Sequence, residues 1–317
     1  QGRNSRSFGE SVSHPMNHLM KLAGMRESEA REILRLARVA KKARGKKSLS
    51  KGPLTGQIWA LIFTKASTRT RVSFEVAIRE LGGVPSFLSA AEIQLGRGEL
   101  VQDTARVMGR MVHGAVIRTF AQGDVEEFAE FAKIPTINAL TDDEHPCQIL
   151  SDIFTIEEKR GSIRGKRVAF IGDAACNVPR SWAEAAKIFD FHLVCGAPKE
   201  FQPLAVGKHV SWTEDPREAA KGADVLYTDV WVSMGKEAET AEREKVFAPY
   251  QINQKLVGLA KKGALVLHCL PAYRGKEISA EILEERAEDI FDQAENRLHT
   301  QKGILQWIVS KPMKGKG

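Results

Sequence analysis

The sequence predicts an α/β chain built as two doubly wound parallel-sheet domains with a cleft between them. Three observations carry this. Short apolar runs alternate with segments of helical periodicity along the chain, which implies parallel strands with helices on both faces. The alternation pauses at a helix opened by His145-Pro146-Cys147-Gln148 and restarts near Val168. Polar clusters at Ser67 to Thr70, Arg118, His145, Asn177, Asp229 and Cys269 fall where open sheets of this kind bind ligands, outside the carboxyl ends of strands.

In chain order, a helix is expected over 27–43, where Ala30, Ile33, Ala37 and Ala40 share a face and Gly45 follows. Ile58-Trp59-Ala60-Leu61-Ile62-Phe63 is an unbroken apolar run of strand length. Phe74, Ala77, Ile78 and Leu81 then recur at helical spacing and stop at Gly82-Gly83. Strands are expected over 84–88, 115–120 and 134–139, helices over 101–111 and 125–132, and a bridging helix from His145 to about residue 158. In the second half the expected strands are 168–173, 192–195, 225–229 and 264–268, with a last short one at Ile290-Phe291. Helices are expected over 181–189, 216–221, 251–260 and 294–309. Leu298, Leu305 and Ile308 give the final helix a docking face, late enough in the chain to pack back on the first domain. Residues 91–99 form a polar, glycine-bearing loop, and residues 230–244 show no clear periodicity, so both read as functional loops.

A chain of 317 residues can form two α/β domains, and its 43% hydrophobic and 27% charged residues are the proportions of a soluble globular protein. No apolar run reaches the length of a membrane span. The polar start lacks a signal-peptide core, so a cytoplasmic protein is expected, with Met16 as the natural start and residues 1–15 a loose tail or an added remnant. Cys147, Cys176, Cys195 and Cys269 are scattered and form no CxxC pair, which fits reduced thiols rather than a structural zinc. The net charge of +7 invites a nucleic-acid reading. Residues 1–51, however, hold 13 Lys/Arg against 4 Asp/Glu, and the rest of the chain holds 34 against 36. The excess base is confined to one segment, densest from Lys41 to Lys47 and free of interleaved aromatics, and a solvated helix end is expected there. The rival, an RNA-binding protein, predicts salt-sensitive binding through that segment.

The densest chemistry is Ser67-Thr68-Arg69-Thr70-Arg71, at a strand-to-helix junction. Unpaired backbone N–H groups and the positive end of the helix dipole favour an anion there. Ser67, Thr68 and Thr70 add neutral donors and Arg69 a forked cation, which together make a phosphate cradle. The plainer alternative is a capped helix with exposed arginines. His145, beside Gln148 at a helix start, can polarise a carbonyl or act as a capping or core histidine. Cys269 ends a strand before Pro271, where its thiol either faces the cleft or is simply buried. Asp229 could cap the following turn, and Arg297 could pair with Glu295. Ile171-Gly172-Asp173-Ala174-Ala175-Cys176 follows a strand but lacks the G-x-G-x-x-G spacing, so no dinucleotide is expected.

These motifs, taken together and in this order from Met16 onward, resemble the aspartate/ornithine carbamoyltransferase family. The resemblance is carried by the Ser67 to Arg71 run, His145-Pro146-Cys147-Gln148 and His268-Cys269-Leu270-Pro271. Asp229-Val230-Trp231-Val232-Ser233-Met234-Gly235 and Ala294-Glu295-Asn296-Arg297-Leu298-His299 resemble its ornithine branch. An aspartate enzyme would be expected to carry Pro-Leu-Pro in place of Cys269-Leu270-Pro271.

The resemblance implies a carbamoyl-phosphate-binding domain over 16–148 and an ornithine-binding domain over 149–317, with an active-site cleft between them. It also implies a homotrimer, or a multiple of trimers, with sites at subunit boundaries. Ser67, Thr68, Arg69 and Thr70 would contact the phosphate, while Arg118, His145 and Gln148 hold the carbamoyl group. Gln94 would arrive from a neighbouring subunit, and Cys269, the Leu270 backbone and Arg297 would close the far side. Asn177, Asp229, Ser233 and Met234 would hold the α-amino and α-carboxylate groups of L-ornithine.

The implied reaction converts carbamoyl phosphate and L-ornithine to L-citrulline and phosphate, within arginine metabolism in the biosynthetic direction. Arg118, His145, Asp229 and Cys269 would be the catalytic groups. No cofactor, metal, nucleic acid, membrane or covalent enzyme intermediate is implied. Putrescine, lysine and N-acetylornithine are the rival acceptors, and Asp229 with Ser233-Met234 favours ornithine because putrescine has no α-groups to hold. The family usually carries paired asparagines where this chain has Cys176-Asn177, followed here by Val178-Pro179-Arg180.

Overall fold

A computed structural model describes residues 18–45, 52–89, 98–232 and 237–310. The first lobe runs α1 (Glu27–Ala43), β1 (Ile58–Phe63), α2 (Thr68–Glu80), β2 (Val84–Ser89), α3 (Val101–Met111), β3 (Gly114–Arg118), α4 (Gln122–Ala132), β4 (Thr136–Leu140) and α5 (Pro146–Arg160). The second continues with β5 (Arg167–Ile171), α6 (Asn177–Phe189), β6 (His192–Gly196), β7 (Val210–Thr213), α7 (Pro216–Ala220) and β8 (Val225–Thr228). It ends with α8 (Thr240–Phe247), α9 (Gln254–Val257), β9 (Leu265–His268), α10 (Ala280–Glu285) and α11 (Ala287–Val309). The strands form two parallel sheets, ordered β2-β1-β3-β4 and β7-β6-β5-β8-β9.

Each central strand is apolar on both faces because both faces are covered. Along β1, Trp59, Leu61 and Phe63 join the core beneath α1, α2 and α5, while Ala60 and Ile62 join Val125 and Phe128 on the opposite face. Along β5 the same period of two sends Val168 and Phe170 one way and Ala169 and Ile171 the other. Trp59 and Phe170 belong to one continuous core, so the lobes share their packing across α5, in which every residue from Pro146 to Ile156 is buried. Helix α11 packs along α1, α2 and α5 and also touches β9, which is the expected return to the first lobe. A Cβ at Gly303 would sit 2.4 Å from the Ile33 carbonyl oxygen, so α1 and α11 meet backbone to backbone there.

Several expectations are corrected. Ile290-Phe291 is no strand: both lie in α11, which begins at Ala287, with Ile290 buried and Phe291 exposed. The helix expected over 251–260 shrinks to α9, capped by the Asn253 side chain accepting from the Leu256 N–H at 3.2 Å. The stretch 230–244 is not aperiodic throughout, since α8 starts at Thr240. Strand β7 and helix α10 were not expected, and α6 starts at Asn177, four residues before the expected 181.

Candidate active site

The chain turns from β1 into α2 at Ser67, whose side chain caps the helix by accepting from the Thr70 N–H at 3.3 Å. No acidic residue sits in the first turn, so nothing of the helix's own neutralises its positive end. Arg71 turns outward, bonding Glu75 at 2.9 Å and lying 3.6 Å from the Phe87 ring centre. Arg69 instead lies in the field of Arg118 and Arg297. Thr70 is fully buried and accepts from Arg297 Nη2 at 2.6 Å, so the alternative pairing of Arg297 with Glu295 is not the one made. Glu295 bonds His299 Nε2 at 3.0 Å instead.

Arg118 ends β3 and is 6% exposed. Burial, then the nearby Arg297 and Arg69 cations, lowers it to about 10, so it remains a cation at neutral pH. His145 is the N-cap residue of α5, yet its side chain makes no capping hydrogen bond. Burial, then Arg297 and Arg118, pushes its imidazole well below the usual histidine range, so it is neutral at pH 7. Its Nδ1, Arg118 Nε, Arg297 Nε and Gln148 Oε1 are all buried with no hydrogen-bond partner among the described residues. Buried polar atoms are ordinarily satisfied, so four such atoms in one place mark a site built for a polar ligand. The surplus of guanidinium makes that ligand an anion.

Across the cleft, Asp229 follows β8 and Cys269 follows β9. The Cys269 Sγ donates to Asp229 Oδ1 at 2.9 Å, and the same oxygen accepts from the Val230 N–H at 2.7 Å. Burial, then Asp229, pushes the Cys269 thiol well up, which keeps it protonated. Burial also raises Asp229. Leu270 has φ +56°, a left-handed backbone held by its N–H donating to His268 Nδ1 at 2.8 Å. His268 therefore carries its proton on Nε2 and donates it to Glu277 at 3.0 Å. Asn177 opens α6 and donates from Nδ2 to the Thr141 carbonyl at 2.6 Å, tying the second lobe to the first.

Ser67, Thr68, Arg69, Thr70, Arg118, His145, Gln148 and Arg297 thus gather on the first-lobe side, and Asn177, Asp229, Cys269 and Leu270 on the second. Gln94, Ser233 and Met234 lie outside the described residues. Sequence reasoning missed Asp152, which bonds Gln148, and Glu277, which bonds His268. A carboxylate interrupting the apolar run Ile149 to Ile156 was the available signal for Asp152. Among the described residues no group of three or more His, Cys, Asp or Glu is arranged for a metal, and no helix is long and apolar enough to cross a membrane.

Residues 17–158 match the family described as aspartate/ornithine carbamoyltransferase, carbamoyl-P binding domain. Residues 164–308 match the Asp/Orn binding domain of the same family. An ornithine carbamoyltransferase of Akkermansia muciniphila is 54% identical over 302 residues, covering 93% of this chain and 98% of that protein. The solved ornithine carbamoyltransferase of Pyrococcus furiosus superposes with a TM-score of 0.87 at 40% identity, covering 96% of this chain and all of that one. The anabolic ornithine carbamoyltransferase of Campylobacter jejuni gives 0.86 at 41% identity, covering 92% and 99%.

Proposed function

This chain belongs to the aspartate/ornithine carbamoyltransferase family, and from that premise we propose that it transfers the carbamoyl group of carbamoyl phosphate to L-ornithine, giving L-citrulline and phosphate. The observation that carries the reading is the buried pair Arg118 and Arg297 beside a neutral His145, with half-buried Arg69 in their field, opposite the Asp229–Cys269 pair.

On this reading the α2 N-terminus, with Ser67, Thr68, Arg69 and Thr70, takes the phosphate, and Arg297 holds it from the other side. Arg118 and the neutral imidazole of His145 polarise the carbamoyl carbonyl, and Gln148, Cys269 and the Leu270 backbone orient the group. Asn177 and Asp229, with Ser233 and Met234, hold the α-groups of ornithine. The neutral δ-amine attacks the carbonyl carbon, the C=O electron pair moves to oxygen, and Arg118 and His145 stabilise that oxyanion. Its collapse breaks the bond to the phosphate oxygen, and the proton shed by the amine balances the leaving phosphate. Positioning and electrostatics supply the acceleration. Cys269 is held as a thiol, which supports direct attack without a covalent enzyme intermediate.

The proposal extends to two functional domains, 16–148 for carbamoyl phosphate and 149–317 for ornithine. It includes a homotrimer in which Gln94 reaches a neighbour's site, and a cytoplasmic role in arginine biosynthesis. Exposed Leu100, Val107 and Met111, which align along α3, support a subunit contact on the first lobe. The test is to incubate the protein with carbamoyl phosphate and ornithine and quantify both products. Equal amounts of citrulline and phosphate support the reading, whereas phosphate release without citrulline would refute it.

A further inference from the structure

Resting on the carbamoyl-phosphate reading above, we propose that Asp152 is the positioning residue that sets which end of the Gln148 amide faces the substrate. Asp152 lies one helical turn beyond Gln148 on α5 and is fully buried. Its Oδ1 accepts from Gln148 Nε2 at 2.8 Å and from Gln293 Nε2, on α11, at 2.7 Å. Burial raises Asp152 to about 6, so at pH 7 it is ionised, accepts and cannot donate, and bonds only the NH₂ end of each amide. Both glutamines are therefore fixed in one of their two otherwise similar orientations.

The consequences run in two directions. Gln148 gives an N–H to Asp152, which leaves Oε1 as a buried acceptor with no partner among the described residues. An acceptor at that place reads an N–H, and so selects the carbamoyl NH₂ over a methyl group in the same position. A site built to hydrogen-bond a substrate N–H rejects the analogue that lacks it. On the other side, Gln293 presents Oε1 to the backbone N–H of His268 at 2.9 Å, one residue before Cys269. One carboxylate thus sets the group that reads the carbamoyl nitrogen and steadies the strand end that carries Cys269. With Asn at 152, its NH₂ can donate to Gln148 Oε1, and the Gln148 amide is free to turn its donors toward the substrate.

The test compares carbamoyl phosphate as substrate with acetyl phosphate as competitive inhibitor, in the wild type, Asp152→Asn, Gln148→Met and the double variant. Asp152→Asn is expected to lower kcat/KM for carbamoyl phosphate by roughly tenfold to a hundredfold. Acetyl phosphate inhibition and the KM for ornithine should stay within about threefold, because neither uses the Gln148 acceptor. In the Gln148→Met background, Asp152→Asn should add less than about threefold, since its effect runs through Gln148. Equal weakening of both acyl phosphates, or fully additive effects, would assign Asp152 to general packing and overturn the proposal. If Asp152→Asn does not fold, a crystal structure of the wild type with carbamoyl phosphate decides. Gln148 Nε2 kept on Asp152 with Oε1 on the carbamoyl nitrogen supports the proposal; Nε2 turned to the substrate refutes it. A wild type that forms no citrulline would fail the parent reading first, before any variant is compared.

Discussion

Arg297 Nη2 donates to Thr70 Oγ1 at 2.6 Å, joining α11 to the first turn of α2. Through this bond α11 brings a cation to the proposed phosphate site and fixes its buried hydroxyl. Arg297→Lys keeps the charge but loses the planar fork that can hold Thr70 and an oxyanion together. We expect kcat/KM for carbamoyl phosphate to fall ~10- to 100-fold, with the KM for ornithine little changed. A steady-state comparison with each substrate varied in turn checks this.

Arg71 turns outward to Glu75 and Phe87, so Arg69 is the arginine of this helix turn that the proposal assigns to the phosphate. Arg69→Ala should abolish carbamoyl-phosphate turnover while leaving the far-UV spectrum unchanged. Ligand-induced stabilisation gives a second readout: an anion at a hundred times its Kd adds about 2.7 kcal/mol. Carbamoyl phosphate should therefore raise the Tm of the wild type by several degrees and that of the variant hardly at all. Near-normal activity in Arg69→Ala would show the phosphate site is misplaced.

The neutral state of His145 has a cost at acid pH. Its folded pKa is depressed below the usual 6.5, so from pH 6.5 downward the unfolded chain binds a proton that the folded chain refuses. Stability from this group is thus present above pH 6.5 and is lost as pH falls, by up to ~1.4 kcal/mol per pH unit. His18, His192 and His299 are lowered in the same sense, so the measurement is the difference between the wild type and His145→Gln. Urea titrations from pH 7.5 to 5 should show the variant losing less stability than the wild type. Parallel slopes would contradict a neutral buried imidazole.

Cys269 donates its proton to Asp229, and both burial and that carboxylate disfavour a thiolate. Iodoacetamide at pH 8 should alkylate it at least about tenfold more slowly than a free thiol, because the thiolate is the reactive form. Asp229→Asn should speed the reaction, and mass mapping of the alkylated residue checks both statements. Rapid alkylation of Cys269 in the wild type would mean a thiolate is present and direct attack is no longer the simplest mechanism.

Legibility followed how local each signal is. Helix α1, strand β1 and helix α3 have the limits the sequence predicts, because apolar period and stop residues sit within each element. Ile290-Phe291 misled because two adjacent apolar residues mimic a strand, whereas only Ile290 faces the core. Strand β7 escaped because only Val210 is fully buried in it, leaving little apolar contrast. At the site, Arg118, His145, Asp229 and Cys269 were legible as polar groups ending apolar strands or opening a buried helix. Gln293 was not, since a polar residue on a helix ordinarily reads as its wet face, and Asp152 was marked only as a carboxylate breaking an apolar run. Only the packing of α5 against α11 makes them a buried pair.

The most direct measurement is kcat/KM for carbamoyl transfer from carbamoyl phosphate with ornithine, putrescine, lysine, N-acetylornithine and aspartate each as sole acceptor. The account predicts citrulline formation with ornithine preferred by orders of magnitude, with Cys176 tolerated beside Asn177. Faster transfer to any other amine would contradict the acceptor assignment, and no transfer to any of them would contradict the function itself.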